Sequence, residues 1–426
     1  MFDVIIVGGG ASGFFAAINI AEADPSLKIA ILEKGKEVLQ KVRISGGGRC
    51  NVTNGEPDPL ELVKNYPRGE KELLGPLYTY GSQDAIHFFE SRGVKLKIEK
   101  DNRVFPVSNS SQTIVDCFLN EAERLDIKIL RQSSVTAIEI LSNNDYNWKI
   151  TTIKSTYICK KVLMAAGSSP KIWKLMNSLG HKIIPPVASL FTFKIKDERI
   201  SGIPGVSSYV KVDILPKHRF RPEITLKLKS EQAEKTLLSA EGPLLITHWG
   251  LSGPAILKLS AWGAILLNDF KYHFPIRINW LPDYHKGSIF SLLMEIKEIE
   301  AKKTVLRTKA VEIPRRLWTN LVKASGIAKD EKWADVTKEK LQNLAHELTS
   351  GKYMVEGKST FKEEFVTAGG IDLKEINFKT FESKLHKNLF FAGEVINVDA
   401  ITGGFNFQNA WTSGYIAAQG IANNET

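Results

Sequence analysis

At 426 residues and 43% hydrophobic content the chain can hold two or three domains with real cores, and its longest apolar runs fall short of the roughly eighteen residues of a membrane span. Met1 leads straight into an apolar strand with no leader-like segment before it, and the three cysteines, Cys50, Cys117 and Cys159, lack Cys-x-x-Cys spacing; neither a disulfide framework nor a cysteine zinc site is expected, and a reducing cytoplasm is. The formal charge of +10 is more than a small-molecule enzyme requires and sets up a field that attracts polyanions, nucleic acid among them.

The chain opens on a strand, a glycine turn, a helix and a second strand in that order. Val4 to Val7 is an unbroken apolar, β-branched run, which suits a parallel strand covered on both faces. Gly8-x-Gly10-Ala11-Ser12-Gly13 follows at once, and Phe14 to Ala23 reads as a helix. The three glycines serve the tight turn, the approach of backbone to a pyrophosphate, and close packing of helix on strand. The helix start then offers free N–H groups to the phosphates. The strand from Lys28 ends at Glu33-Lys34, with the acid placed twenty residues beyond Gly13 to accept from the hydroxyls of an unphosphorylated ribose. This fingerprint specifies a dinucleotide without choosing between FAD and NAD.

Next comes Lys41-Val-Arg43-Ile-Ser45-Gly46-Gly47-Gly48-Arg49-Cys50-Asn51-Val-Thr53-Asn54. Three consecutive glycines bury nothing in a helix or strand, whereas a loop lying flat against a large ligand can use them. Arg43 and Arg49 read either as partners of phosphate or flavin charge or as surface arginines. Cys50 reads as a redox partner or, with no resolving cysteine beside it, as a small packing residue.

The Ile-Ser-Gly-Gly-Gly-Arg-Cys-Asn segment resembles the hallmark of the NAD(P)/FAD-dependent oxidoreductases of the YhiN and BaiN type, the aminoacetone oxidase-like flavoproteins. The resemblance implies FAD, with residues 45–51 beside the pyrophosphate and the isoalloxazine ring. It also implies a backbone contact to adenine near Val135 and a further contact where the buried strand from Lys161 opens into Ala166-Gly167.

Further along, Pro57 to Gly81 reads as an irregular excursion with one short helix. Helices are expected over Ala85–Arg92 and Ser111–Arg124, strands over Val94–Ile98 and Ile127–Leu130, and a turn at Asn143-Asn144-Asp145. From Pro185 the texture changes to short alternating stretches such as Tyr209–Ile214 and Ile224–Leu228, an antiparallel β-domain inserted into the nucleotide-binding domain. Within it, Leu245-Ile-Thr247-His248-Trp249-Gly250-Leu251-Ser252-Gly253-Pro254 matches a second hallmark of the same flavoproteins. Ser252 reads as a helix N-cap with Pro254 in the first turn. His248 is the candidate catalytic proton carrier, since histidine is the residue type best suited to that task near neutral pH; a core histidine is the other reading. Lys286 to Ser350 reads as helical, with Ile289, Leu292, Leu293 and Ile296, and then Leu341, Leu344, Ala345 and Leu348, on buried faces. Between them lie Lys302, Lys303, Arg307, Lys309, Arg315 and Arg316, a solvated face or a surface for RNA.

The end of the chain carries the third hallmark, Ala392-Gly393-Glu394 through Asp399 to Thr402-Gly403-Gly404-Phe405-Asn406-Phe407. The resemblance places Glu394 near the ribityl and pyrophosphate linkage. It also aims a helix from about Phe407 to Ala418 at the flavin pyrimidine edge, where a helix start stabilises negative charge by roughly 0.3–2 kcal/mol. The expected fold is α/β: a Rossmann-like FAD-binding domain over 1–188 and 360–426, of the two-dinucleotide-binding-domain type. An inserted antiparallel β-domain covers 189–284 and a small helical domain 285–359. No second Gly-x-Gly-x-x-Gly follows a strand, so a separate NAD domain is lacking, and NADPH or NADH, if it is the electron donor, must reach the flavin directly. The family resemblance implies three chemistries: reduction of a double bond in steroid-like acids, oxidation of a small amino ketone, and reduction of uridine in ribosomal RNA. A reductase acting on an activated carbon–carbon double bond of a small molecule is the leading expectation. An RNA-modifying flavoenzyme, an amino-ketone oxidase and a binding protein with structural FAD are the alternatives.

Overall fold

The computed structural model describes residues 1–141, 148–216, 236–359 and 366–423. Its chain divides into two compact units, Met1–Val187 with Val366–Thr426, and Ala188–Phe365. The sequence expectations at Asn143-Asn144-Asp145 and Ile224–Leu228 lie outside the described residues.

The first unit is organised on the strand Phe2–Val7, which pairs in parallel with Ile29–Leu32 on one side and Thr156–Met164 on the other. A strand with neighbours on both edges and helices over its faces has no wet side, so Val4–Val7 is buried throughout. Lys128–Leu130 and Leu389–Phe391 extend the parallel layer outward. Val135–Ile140 and Trp148–Thr152 join it antiparallel, as do Glu382–Ser383 and Ile376–Asn377 at the far edge. The helix Ala11–Ala23 is buried from Ser12 to Ala21, which explains why its sequence is apolar all round rather than amphipathic. It packs on the C-terminal helix Phe405–Asn423, and Gly414 lets the two approach: a Cβ there would stand 3.1 Å from the Ser12 carbonyl oxygen. Phe15, Phe88, Phe89, Phe118 and Trp411 form one aromatic cluster against these helices.

Among the described residues the second unit has a seven-stranded sheet whose order runs Gly351–Val355, Phe274–Asn279, Ser207–Ile214, Leu238–Ile246, Gly250–Ser252, Phe193–Lys194 and Gly357–Lys358. Its neighbouring strands pair antiparallel. The β-part and the helical part, expected as separate domains over 189–284 and 285–359, share a single core here. Val210, Val212, Ile276 and Ile278 of the sheet are buried with Leu293, Leu317, Leu321, Leu341, Leu344 and Leu348 of the helices. The physical reason is that the helices Lys286–Ile299, Arg315–Ala324 and Lys338–Ser350 each have one apolar face, and their own number is too small to cover it.

Several local expectations change. Pro57–Gly81 contains two helices, Pro59–Val63 capped by Asp58, and Glu70–Thr79, so it is less irregular than its Pro and Gly content suggested. Residues 302–314 leave the α-helical path, with only a short 3-10 turn at Val305–Arg307, and Arg315 begins a new helix. Ser252 is not the N-cap: it ends the strand Gly250–Ser252, paired with Leu245, and Gly253 at φ 92° caps the helix Pro254–Trp262. A side chain at position 253 would stand 2.9 Å from the Leu245 nitrogen, so the chain needs glycine there to turn from strand into helix.

Candidate cofactor site

The glycine turn of the first unit divides its labour as the sequence suggested. Gly8 adopts φ 121°, and a Cβ there would lie 2.3 Å from the Ala165 oxygen; one at Gly13 would lie 2.0 Å from the Gly8 oxygen. These two glycines let three backbone segments meet. Gly10 is different, because nothing lies within 4 Å of its Cβ position, which leaves open space over the helix start at Ala11 and Ser12. Gly10 caps the helix without a side-chain bond, so the first-turn N–H groups are left for a ligand.

Glu33 stands beside this turn. Its Oε2 accepts from the Gly9 N–H at 2.9 Å and its Oε1 from the Gly35 N–H at 2.7 Å. Each carboxylate oxygen retains a second lone pair, enough to accept from ribose hydroxyls. The Gln132 and Ser133 N–H groups donate to the Gly35 and Glu33 carbonyls at 2.9 and 2.8 Å, so the segment leading to the buried Val135 runs beside Glu33. Lys34 is exposed.

The glycine loop begins as a helical turn from Gln40 and departs from it at Ser45, with Gly46, Gly47 and Gly48 at φ 58°, 68° and 83°. Nothing lies within 4 Å of the Cβ positions of Gly47 and Gly48, so the loop presents bare backbone. It is braced from behind: the Cys50 N–H donates to the Ser45 carbonyl at 3.0 Å, and the Ser45 hydroxyl donates to the Val42 carbonyl at 2.9 Å. The Asn51 amide, in the orientation its neighbours require, accepts from the Gly404 N–H at 2.8 Å and donates to the Thr53 carbonyl at 3.0 Å. Gly404, at φ 98°, crosses the Thr53 backbone so closely that a Cβ would lie 2.3 Å from it. The two glycine clusters, more than 350 residues apart in sequence, therefore form one continuous wall.

On the other side, the Ala392 N–H donates to the Met164 carbonyl at 3.0 Å and the Gly393 N–H donates to the Ser413 hydroxyl at 2.8 Å. This fixes Gly393-Glu394 next to Ala166-Gly167 and against Ser12, whose Oγ would be 2.6 Å from a Cβ at Gly393. Glu394 accepts from the Thr367 N–H at 3.2 Å and pairs with Lys41. Asp399 is wholly buried, and its carboxylate is clamped by the Arg68 guanidinium. Asn406 holds the preceding loop by a two-way exchange with the Ala400 backbone, both bonds 3.0 Å, and Phe407 stacks on Trp411 with ring planes 9° apart. Gly403 has φ 137°. Lys41 and Arg68 carried no distinguishing sequence signal; only their partners, far along the chain, reveal them.

Arg43 bonds Gln112 through one terminal nitrogen, while its Nε is buried with no hydrogen-bond partner among the described residues. Arg49 lies over the Phe105 ring at 3.9 Å and pairs with Glu99 at 2.8 Å, which makes it a brace for the loop. Cys50 is fully buried, and burial pushes its thiol up to about 12, so it is held as a neutral packing group rather than a redox thiolate. Among the described residues no cluster of His, Cys, Asp or Glu is arranged to hold a metal.

The open backbone over Gly10, Gly47 and Gly48, the orphaned Arg43 Nε, and the unpartnered Oδ1 of the buried Asn409 one turn into the C-terminal helix together fit a long, polyanionic, hydrogen-bonding cofactor. Such a cofactor would be held with its adenosine end at Glu33, its pyrophosphate at the Ala11 helix start, and its ring system at the wall of Ser45–Asn51 and Gly403–Phe407. That is the site of an FAD-dependent oxidoreductase.

The chain belongs to the family of the HI0933-like protein Rossmann domain, whose profile matches residues 2–420. It is 28% identical to the ribosomal RNA dihydrouridine synthase of Haemophilus influenzae, over 98% of both chains. It is 25% identical to the 3-dehydro-bile acid delta(4,6)-reductase of Clostridium scindens, again over 98% of both. In fold it resembles the 3-ketosteroid delta1-dehydrogenase of Sterolibacterium denitrificans, with a TM-score of 0.50 at 11% identity and full coverage of both chains.

His248 lies in the second unit, in the turn between Leu238–Ile246 and Gly250–Ser252, and is exposed. The core-histidine reading is therefore corrected: the turn is closed by the Thr247 N–H donating to the Gly250 carbonyl at 2.8 Å, which leaves residues 248 and 249 at its tip. No helix among the described residues is long and apolar enough to cross a membrane.

Proposed function

We propose that this protein reduces an activated carbon–carbon double bond with electrons from NADPH or NADH in the cytoplasm, and that its substrate is the uracil base of an RNA. Held in the first unit, FAD would supply hydride chemistry suited to the electron-poor carbon of the alkene. The chain's own residues hold the pyrophosphate at the Ala11 helix start and the ribose at Glu33. They seal the ring side with the interlocked turns at Asn51 and Gly404. Within the second unit, the exposed His248 is the candidate proton carrier.

The observation that carries the RNA substrate is the charge of the second unit. Lys302, Arg307, Arg315 and Arg316 are exposed and have no ion-pair partner among the described residues, whereas Lys303 and Lys309 pair with Glu300 and Glu312. Arg315 and Arg316 occupy the first turn of Arg315–Ala324, which has no acidic residue to offset them. Cations at a helix start oppose the macrodipole by about 0.3–1 kcal/mol each, a cost that a bound polyanion removes. A small acid substrate needs no such face. An RNA does, because extracting a base from its stack costs a few kcal/mol that phosphate contacts must offset. The similarity to two ribosomal RNA dihydrouridine synthases, that of Escherichia coli included at 26% identity, supports the same reading.

The test is anaerobic addition of NADPH and NADH to the flavin-loaded protein, followed by transfer of the reduced protein to ribosomal RNA and to a steroid-like enone. Prompt bleaching and a gain of two hydrogens per modified uridine are expected. Failure to bleach with either nucleotide, or turnover of the enone with RNA left unchanged, overturns the proposal. Arg315→Glu with Arg316→Glu should lower the slope of log affinity against log salt by roughly 1.4 and leave flavin binding intact.

A further inference from the structure

We infer that Trp249 is the residue on which an unstacked RNA base lies, at the end of an uncharged strip on the sheet of the second unit; the inference rests on the RNA reading above. Trp249 is 54% exposed, yet its backbone is held from three directions. Its N–H donates to the Thr247 hydroxyl at 3.2 Å, its carbonyl accepts from the Ile195 N–H at 3.1 Å, and the turn closes from Thr247 to Gly250. Gly250 at φ 144° has room for no side chain, since a Cβ would stand 2.2 Å from the Phe193 oxygen. About half of a large aromatic side chain is thus left exposed on a rigid base, where burial would be the default for its area.

The strip continues along the outward face of the sheet. Leu245 is exposed opposite Ser207, and the next outward pair is Pro243 with Tyr209, the latter 57% exposed. Charge returns only at the following pair, Lys211 with Glu241. The strip between carries no charged side chain to hold a phosphate, so what lies against it is the flat face of a base.

The cationic helix is connected to the same strip through a short relay. Arg316 shares a helix face with Asn320, four residues on, and the Asn320 amide donates to the Ser201 carbonyl at 3.2 Å. Four residues later the Gly205 N–H donates to the Ile246 carbonyl at 2.9 Å, two residues before His248. A backbone-binding surface and a base-binding surface are therefore joined through residues 201–206. This is the combination that single-strand readers use, a basic track beside aromatic platforms. The exposed imidazole of His248 next to Trp249 puts the candidate proton donor beside the platform.

The test uses the full-length flavin-loaded protein and a labelled single-stranded uridine-containing RNA, with affinity measured by anisotropy across a salt series. Trp249→Ala should weaken binding by about 5- to 150-fold, the range commanded by stacking of one base, and leave the salt slope unchanged; Trp249→Phe should recover most of the loss. Flavin content and the sedimentation profile of each variant check folding and oligomeric state. Wild-type affinity in Trp249→Ala overturns the inference while the RNA reading stands. A reduced salt slope in that variant, or conversion of a dimer to monomers with RNA affinity unchanged, also overturns it, the second result assigning the strip to self-association. If the wild-type protein binds no RNA, the RNA reading and this inference fail together.

Discussion

Asp399→Asn tests whether the buried pair with Arg68 holds the flavin-side loop. Asp399 is 0% exposed and the Arg68 side chain 12%, and the two segments they belong to also form a backbone bridge. Removing one partner of a buried ion pair strands the other charge and costs about 3–5 kcal/mol. The slight exposure of Arg68 places this case near the lower end, about 3 kcal/mol. For a unit of about 250 residues, that lowers the melting temperature of the first unit by about 6–12 °C. The assay is thermal unfolding followed by near-UV circular dichroism at fixed excess FAD, because bound cofactor shifts the apparent stability by mass action. Replacing both partners, Arg68→Met with Asp399→Leu, removes the stranded charge and should cost less than the sum of the single replacements. Because residues 399–406 carry the turn at Gly403-Gly404, flavin affinity should fall with Asp399→Asn as well. A melting temperature within about 1 °C of wild type for Asp399→Asn, or a double variant as unstable as the sum, would refute the reasoning.

Three further outcomes follow from the geometry. Gly404→Ala puts a methyl group 2.3 Å from the Thr53 backbone at φ 98°, so it should be purified with little flavin although still folded, as read from the visible spectrum against circular dichroism; full flavin content would show that the wall does not depend on this crossing. His181 is buried between Glu375, 2.8 Å from its Nδ1, and Ser383, 3.1 Å from its Nε2, with His386 facing it at 5.7 Å; burial is the main cause that lowers its pKa below the ordinary histidine value, and Glu375 opposes it. The unfolded chain then takes up a proton first as pH falls, so this contribution is complete above the unfolded histidine value near 6.5 and is lost as pH drops below it towards the folded value. Urea midpoints should decline from pH 7 to 5 more steeply in wild type than in His181→Gln, and parallel curves would contradict the assignment. Finally, burial raises the Cys50 and Cys159 thiols to about 12 and Cys117 to about 11, so none should be alkylated by iodoacetamide at pH 8 until the protein is unfolded; rapid labelling of Cys50, read by peptide mass spectrometry, would reopen its redox role.

What could be read along the chain was whatever depends on neighbours in sequence. The strand, glycine turn, helix and acid of the first 33 residues describe their own geometry, since the turn needs positive φ at Gly8 and the helix needs a small residue at Gly13. The bare loop at Gly46–Gly48 and a helix opening after the Gly403-Gly404 pair were equally legible, although the helix starts at Phe405 rather than about Phe407, because three glycines or a glycine pair before an apolar helix have few other uses.

What only the tertiary structure decided is what those local elements do to one another. Gly404 must be glycine because Thr53 passes it, Gly8 because Ala165 does, and neither neighbour is visible in a window of any reasonable length. Arg68 sat in a stretch that read as irregular and became a structural charge only through Asp399, 331 positions later. Ser252 had the composition of a cap and lost that role to Gly253, because ladder pairing with Leu245 outweighs a local capping preference. The helices after Lys286 looked self-sufficient by periodicity, yet their apolar faces are completed by the sheet. The sequence by itself determined that the cofactor is a dinucleotide, since a phosphate and a ribose call for backbone N–H groups and one acid at fixed local spacing; FAD rather than NAD came from the family resemblance. The tertiary structure decided which polar groups remain unpartnered, and so available to ligands, because that depends on which distant segments fold against them.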